Sequence, residues 1–273
     1  MQKRFTRMFL NNKMGSHILR TSIKTKSHTK GALQETSLFP AASPNDAISV
    51  EIGERHLQMR EGFIALNSPI QLRTLSSGVV GAGTGWHSSF VNRHVDKSYD
   101  CSDHREEMIH YLKEKGFKPE ETVGMMTAVM LEDVCFKHYQ EEGFSVFIVV
   151  TAGTGNAVDA SKSSEYYSYD MSPGTINIWL FVNGVLTEEA FIQSMMTATE
   201  AKTKALHDLE IRDKLSGTVA TGTSTDSIMV ASSQQGQKLE YAGTITPLGR
   251  TIGKGVHECT VEAIRNSKKR VTK

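Results

Sequence analysis

The residues of this sequence that could do chemistry fall in short polar runs, each rich in Gly, Thr, Ser or Asn and each beside an apolar segment. In chain order the first is Ser76-Ser77-Gly78, followed by the loop Gly81-Ala82-Gly83-Thr84-Gly85 and by Phe90-Val91-Asn92-Arg93-His94-Val95. Then come Met125-Met126-Thr127-Ala128, Thr151-Ala152-Gly153-Thr154-Gly155-Asn156-Ala157 and Pro173-Gly174-Thr175-Ile176-Asn177. The last two are Thr199-Glu200-Ala201-Lys202-Thr203-Lys204 and Ala220-Thr221-Gly222-Thr223-Ser224-Thr225-Asp226. Glycine admits a ligand close to backbone N–H groups, and Thr, Ser and Asn supply short donors and acceptors. Other chemistries lack their motifs. There is no G-x-x-x-x-G-K-[ST] phosphate loop and no G-x-S-x-G elbow, and the glycine loop lacks the G-x-G-x-x-G spacing. No HExxH or Cys/His ligand spacing occurs, and His104 and His110 point to different helix faces, so no metal site is expected. Cys101 beside His104 reads as a capping turn and not as a catalytic pair.

Taken together and in order, the runs Thr-Ala-Gly-x-x-Asn-Ala, Pro-Gly-Thr-Ile-Asn, Thr-Glu-Ala-Lys-Thr and Ala-Thr-Gly-Thr-x-Thr-Asp resemble the adenosylcobinamide amidohydrolase (CbiZ) family, from about Leu75 to about Ile264. The resemblance implies hydrolysis of the amide that links aminopropanol to the corrin ring, giving adenosylcobyric acid for cobamide salvage. It implies no cofactor beyond the corrinoid substrate, and a functional link to a corrinoid ABC importer. Amide hydrolysis needs a nucleophile, a stabilised oxyanion and a proton for the leaving amine. Asp226 is the first choice of general base and Glu200 the second; Asn156 is an oxyanion candidate; Thr223 or Ser224 is a nucleophile candidate beside activated water. Ser77, Gly81, Gly83, Asn92, Thr151, Gly153, Asn177 and Thr221 form the expected substrate-binding set. Structural roles compete with these: Asp226 and Asn156 as turn residues, and Glu200 as the partner of Lys204 at i,i+4. At the level of function, a non-catalytic corrinoid-binding module competes, as does a self-processing hydrolase built on Thr221–Ser227.

The elements that must hold these runs are legible from periodicity. Ile48, Val50 and Ile52 alternate as in a strand, Glu61-Gly62 breaks a hairpin, and Leu72–Leu75 follows Pro69 as a further short strand. A helix starts at Asp103 and ends at Gly116, with Met108, Ile109 and Leu112 on one face. Phe144–Thr151 and Thr175–Val182 are apolar throughout, the mark of strands covered on both faces. A long helix follows Thr187, a strand spans Ser227–Ala231, and a last helix opens at Thr246-Pro247 with Leu248, Ile252, Val256, Cys259 and Ala263 as its stripe. Strand clusters with few helices predict an α+β fold: a layered sandwich of mostly antiparallel strands with helices packed outside.

Composition sets the frame. The chain has 273 residues, with 31 Lys and Arg against 30 Asp and Glu, so its formal net charge is +1. That balance lacks the basic surplus of a nucleic-acid binder, and no apolar stretch is long enough to span a membrane. Three scattered cysteines, Cys101, Cys135 and Cys259, predict reduced thiols and a cytoplasmic protein. Residues 1–45 are expected to be a basic, solvated extension, with residues 46–273 forming one amidohydrolase domain.

Overall fold

The computed structural model describes residues 50–162 and 174–271. The expected basic extension lies outside the described residues, and Ala47–Lys273 group as one unit. The strands are β1 (Leu57–Arg60), β2 (Phe63–Ser76), β3 (Gly83–His94), β4 (Thr122–Thr127), β5 (Cys135–Glu141), β6 (Phe144–Ala152), β7 (Ala157–Val158), β8 (Ile176–Asn183), β9 (Val185–Leu186), β10 (Gly222–Thr223), β11 (Ser227–Ser232) and β12 (Lys238–Leu239). The helices are α1 (His104–Glu114), α2 (Glu188–Asp208) and α3 (Pro247–Val271).

Eight strands form one mixed sheet in the order β4-β3-β2-β11-β8-β6-β5, with β1 paired to β2. Most neighbours are antiparallel; β11 with β8 and β3 with β4 are parallel. The sheet folds over on itself, so β3 and β4 lie across an apolar interior from β8. Phe90 of β3 meets Phe181 of β8 edge-on at 4.9 Å between ring centroids, and Trp179 Nε1 of β8 donates to Met125 Sδ of β4. The α+β sandwich expected from the sequence is what forms, with α2 and α3 outside one layer and α1 outside the other.

Alternation decides which layer each side chain enters. On β6, Val146, Ile148 and Val150 face α2 and α3, while Phe147 and Val149 face the interior between layers. On β8, Ile178 and Leu180 face the helices and Trp179 and Phe181 face the interior. Both faces are therefore buried, which is why these strands read as unbroken apolar runs. Each such side chain contributes about 1.5–3 kcal/mol by leaving water. The stripe of α3, from Leu248 to Ala263, is buried against the same layer. Asp103 caps α1 by accepting the Glu106 N–H at 2.9 Å, and Thr187 caps α2 by accepting the Ala190 N–H at 3.2 Å.

Two expectations are corrected. The described part of the strand expected over Ile48–Ile52 is irregular, because the Asn183 side chain takes the place of a ladder: it accepts the Ile52 N–H at 2.7 Å and donates to the Ile52 carbonyl at 3.0 Å. Leu72–Leu75 is not a separate strand. It continues β2 through Pro69, because a register shift between Asn67 and Leu72 absorbs the residue that lacks an N–H.

Candidate active site

Three polar runs meet at one end of the central strands: the segment after β6, the segment entering β8, and the Thr221–Asp226 run entering β11. Asp226 is the hub. Its Oδ1 accepts the Ile176 N–H at 2.9 Å and the Thr223 hydroxyl at 2.5 Å. Its Oδ2 accepts the Thr223 N–H at 3.1 Å and the Lys202 ammonium at 2.5 Å. A carboxylate has about four lone-pair sites, and all are engaged. Asp226 therefore holds Thr223 in place and keeps no lone pair open toward a substrate. The Lys202 and Asp226 side chains are only 8% and 13% exposed, which makes this a buried pair.

Close approach explains the glycines. A Cβ on Gly222 would lie 2.6 Å from Asp226 Oδ2 and 2.8 Å from Lys202 Nζ. A Cβ on Gly174 would lie 2.5 Å from Asn156 Oδ1 and 2.8 Å from the Gly153 carbonyl. Asn156 donates from Nδ2 to Ser224 Oγ at 2.8 Å, and its Oδ1 is buried without a partner. Gly153 N–H is taken by the Thr175 carbonyl at 2.9 Å. Thr175 Oγ1 donates to the Thr225 carbonyl at 2.8 Å, and Thr225 Oγ1 donates to the Gly174 carbonyl at 2.9 Å. Thr221 ties this run to β7 through its N–H on the Val158 carbonyl at 2.9 Å, and to α2 through Thr203 Oγ1 at 2.9 Å.

The remaining expected residues divide. Asn92, Thr151 and Asn177 form a buried ladder between the sheet layers: Asn92 Nδ2 donates to Thr151 Oγ1, and Asn177 Nδ2 donates to Asn92 Oδ1, each at 2.9 Å. Ser77 clamps β11 to the end of β2, accepting the Ile228 N–H at 3.0 Å. Gly81 and Gly83 have positive φ, and Gly81 is pressed against the Thr122 carbonyl, where a Cβ would lie 2.8 Å away. Glu200 is not brought to Asp226. It lies on the opposite face of α2 from Lys202, in a groove of about 400 Å³ against α3 that also contains Lys204, Lys254 and His257. Lys204 pairs with Asp208 and not with Glu200.

Lys202 is the residue that motif reading passes over. Its signal is positional: it stands four residues after Ala198 and three before Ala205, on the buried stripe of α2. A lysine at such a position needs a buried counter-charge, and Asp226 supplies it. Among the described residues, no three His, Cys, Asp or Glu side chains converge as a metal would require.

Similarity to known proteins covers the span that carries these runs. The family described as adenosylcobinamide amidohydrolase matches residues 47–272. An ABC transporter ATP-binding protein of Bacillus subtilis is 29% identical over 212 residues, which are 77% of this chain and 38% of that protein. The chain thus spans well under half of that relative. The adenosylcobinamide amidohydrolase of Methanosarcina mazei is 29% identical over 67% of this chain and 84% of its own length. That of Halobacterium salinarum is 26% identical over 77% of this chain and 85% of its own. The chain belongs to the adenosylcobinamide amidohydrolase (CbiZ) family.

Proposed function

We propose that the protein hydrolyses the amide between aminopropanol and the corrin ring of adenosylcobinamide, releasing adenosylcobyric acid for cobamide salvage. The observation that carries this reading is the family match across the whole of the described chain, coupled to the burial of its Thr, Asp and Lys at one point. In this reading Thr223 Oγ1 attacks the amide carbon. Asp226 takes the hydroxyl proton, the departing aminopropanol nitrogen gains it as the C–N bond breaks, and Lys202 balances the carboxylate charge. Backbone N–H groups of Thr154 to Asn156 are the candidates to meet the developing oxyanion, since the Thr175 carbonyl holds the Gly153 N–H and Ser224 holds Asn156 Nδ2. Water completes the hydrolysis, without ATP or added metal. We infer that the step is cytosolic and follows corrinoid uptake. The similarity to an ABC transporter ATP-binding protein supports that order, and no helix among the described residues is long and apolar enough to cross a membrane.

Incubation of the purified protein with adenosylcobinamide, followed by chromatography, tests the reading. Adenosylcobyric acid is expected, at a rate unchanged by ATP or by a chelator. Stoichiometric corrinoid binding with no product would instead establish a binding module.

A further inference from the structure

The Gly222–Thr223 peptide bond rests against the same carboxylate as the hydroxyl beside it. Asp226 Oδ1 accepts the Thr223 hydroxyl at 2.5 Å, and Oδ2 accepts the Thr223 N–H at 3.1 Å. One carboxylate thus touches the oxygen that must lose a proton before attacking a carbonyl and the nitrogen that must gain one when its acyl bond breaks. Those are the two proton positions of an N-to-O acyl shift. The acyl residue is glycine, and the crowding of a Cβ there by Asp226 and Lys202 excludes any other, so no side chain shields its carbonyl carbon. Thr223 is only 8% exposed, which keeps bulk water from competing for the hydroxyl. The Lys202 ammonium stands at 2.5 Å from Oδ2 as the counter-charge.

We propose that the chain cleaves its own Gly222–Thr223 bond and that the liberated Thr223 is the nucleophile of the active site. Thr223 Oγ1 attacks the Gly222 carbonyl carbon while its proton passes to Asp226. The C–N bond breaks, the nitrogen takes that proton, and an ester joins Gly222 to Thr223 Oγ1. Water then hydrolyses the ester, leaving a carboxylate on Gly222 and a free hydroxyl and amine on Thr223. The second half of this inference rests on the hydrolase reading above. It supplies a second base, carried by Thr223 itself, beside an Asp226 whose lone pairs are all engaged. A free α-amine titrates near 7.7–8.0, so about a tenth or more is an unprotonated base at neutral pH. That base is carried by the same residue as the hydroxyl it would deprotonate, the activation used by N-terminal threonine nucleophiles. Because β11 lies between β2 and β8 in the sheet, the two pieces stay together after cleavage.

The test uses the purified full chain, with denaturing mass spectrometry, N-terminal sequencing and turnover of adenosylcobinamide measured on one preparation. The 30.2 kDa species is expected to give way to residues 1–222 and 223–273, the smaller piece beginning at Thr223. Thr223→Ser should still cleave. Thr223→Val should stay whole, with the circular dichroism spectrum of a folded chain. An intact 30.2 kDa chain that turns over substrate overturns the inference and leaves the hydrolase reading standing. Cleavage after Gly222 in the Thr223→Val variant also overturns it, since a contaminating protease would then be responsible. Cleavage at Thr223 with no turnover upholds self-cleavage and sinks the hydrolase reading.

Discussion

Lys202 shows how little of the site depends on motif and how much on helix phase. Thr223, Asp226 and Asn156 are legible because they sit in continuous polar runs beside strands. Glu200 and Lys202 belong to one such run, and only the angle of about 200° between positions two apart separates them. That angle sends Glu200 to the α3 groove and Lys202 to the sheet. The setting of Asp226 is hidden for a similar reason: a sequence shows the carboxylate but not the four donors that fold around it. The burial of the pair makes its members interdependent. Lys202→Met would leave the Asp226 carboxylate buried beside neutral donors only, a loss of about 3 kcal/mol. The double variant Lys202→Met, Asp226→Asn removes both charges and should recover more than half of that loss. Urea unfolding of the wild type, both single variants and the double variant gives the coupling energy. Additive losses would show that the pair is solvated and that its role in holding Thr223 is overstated.

Helix α3 and its seat on α2 and the sheet are legible at the level of elements, because its apolar stripe and Thr246-Pro247 start obey simple spacing. The closeness of its packing is not, since that depends on where glycines meet backbone. A Cβ on Gly249 would stand 1.9 Å from the Gly243 carbonyl oxygen, whereas one on Gly253 would make an ordinary contact of 3.7 Å with Thr197 Cγ2. Both are helix positions where Ala gains about 1 kcal/mol over Gly in propensity. At Gly249 the overlap is with backbone and cannot be relieved by a rotamer change. Steric cost therefore wins there, and Gly249→Ala should lose about 1–3 kcal/mol. Gly253→Ala should be neutral to about 1 kcal/mol more stable. Thermal melts of the two variants compare them directly, and a stabilised Gly249→Ala would mean that the 241–246 loop is free to retreat from α3. The same dependence on unseen neighbours hides the long β2. Pro69 reads as a strand breaker, and only the register shift between Asn67 and Leu72 shows how it is accommodated.

The whole molecule is nearly neutral, so its response to pH comes from individual groups more than from net charge. His87 is buried with Nδ1 at 2.7 Å from Thr74 Oγ1, and burial holds its pKa below the ordinary imidazole value. The Lys204 ammonium, and then His257, hold the Asp208 carboxyl at about 2, and Lys137 holds that of Glu262 below its usual range. In each case the unfolded chain takes up a proton that the native chain refuses, so unfolding gains ground as pH falls. The histidine contribution is complete above about pH 6.5 and declines below it, while the carboxylate contributions are complete above about pH 4 and decline toward pH 2. Stability should therefore fall in two stages. The urea midpoint is expected to be flat from pH 8 to 7, lower at pH 5.5 and lower again at pH 3.5, by roughly 0.3–1 M for each kcal/mol lost. His87→Gln keeps a polar group beside Thr74 but cannot take up the proton, so the first stage should shrink while the second is unchanged. If the decline from pH 7 to 5.5 persists undiminished in His87→Gln, some other group, such as His56 with its own burial-lowered pKa, sets the acid response of the fold.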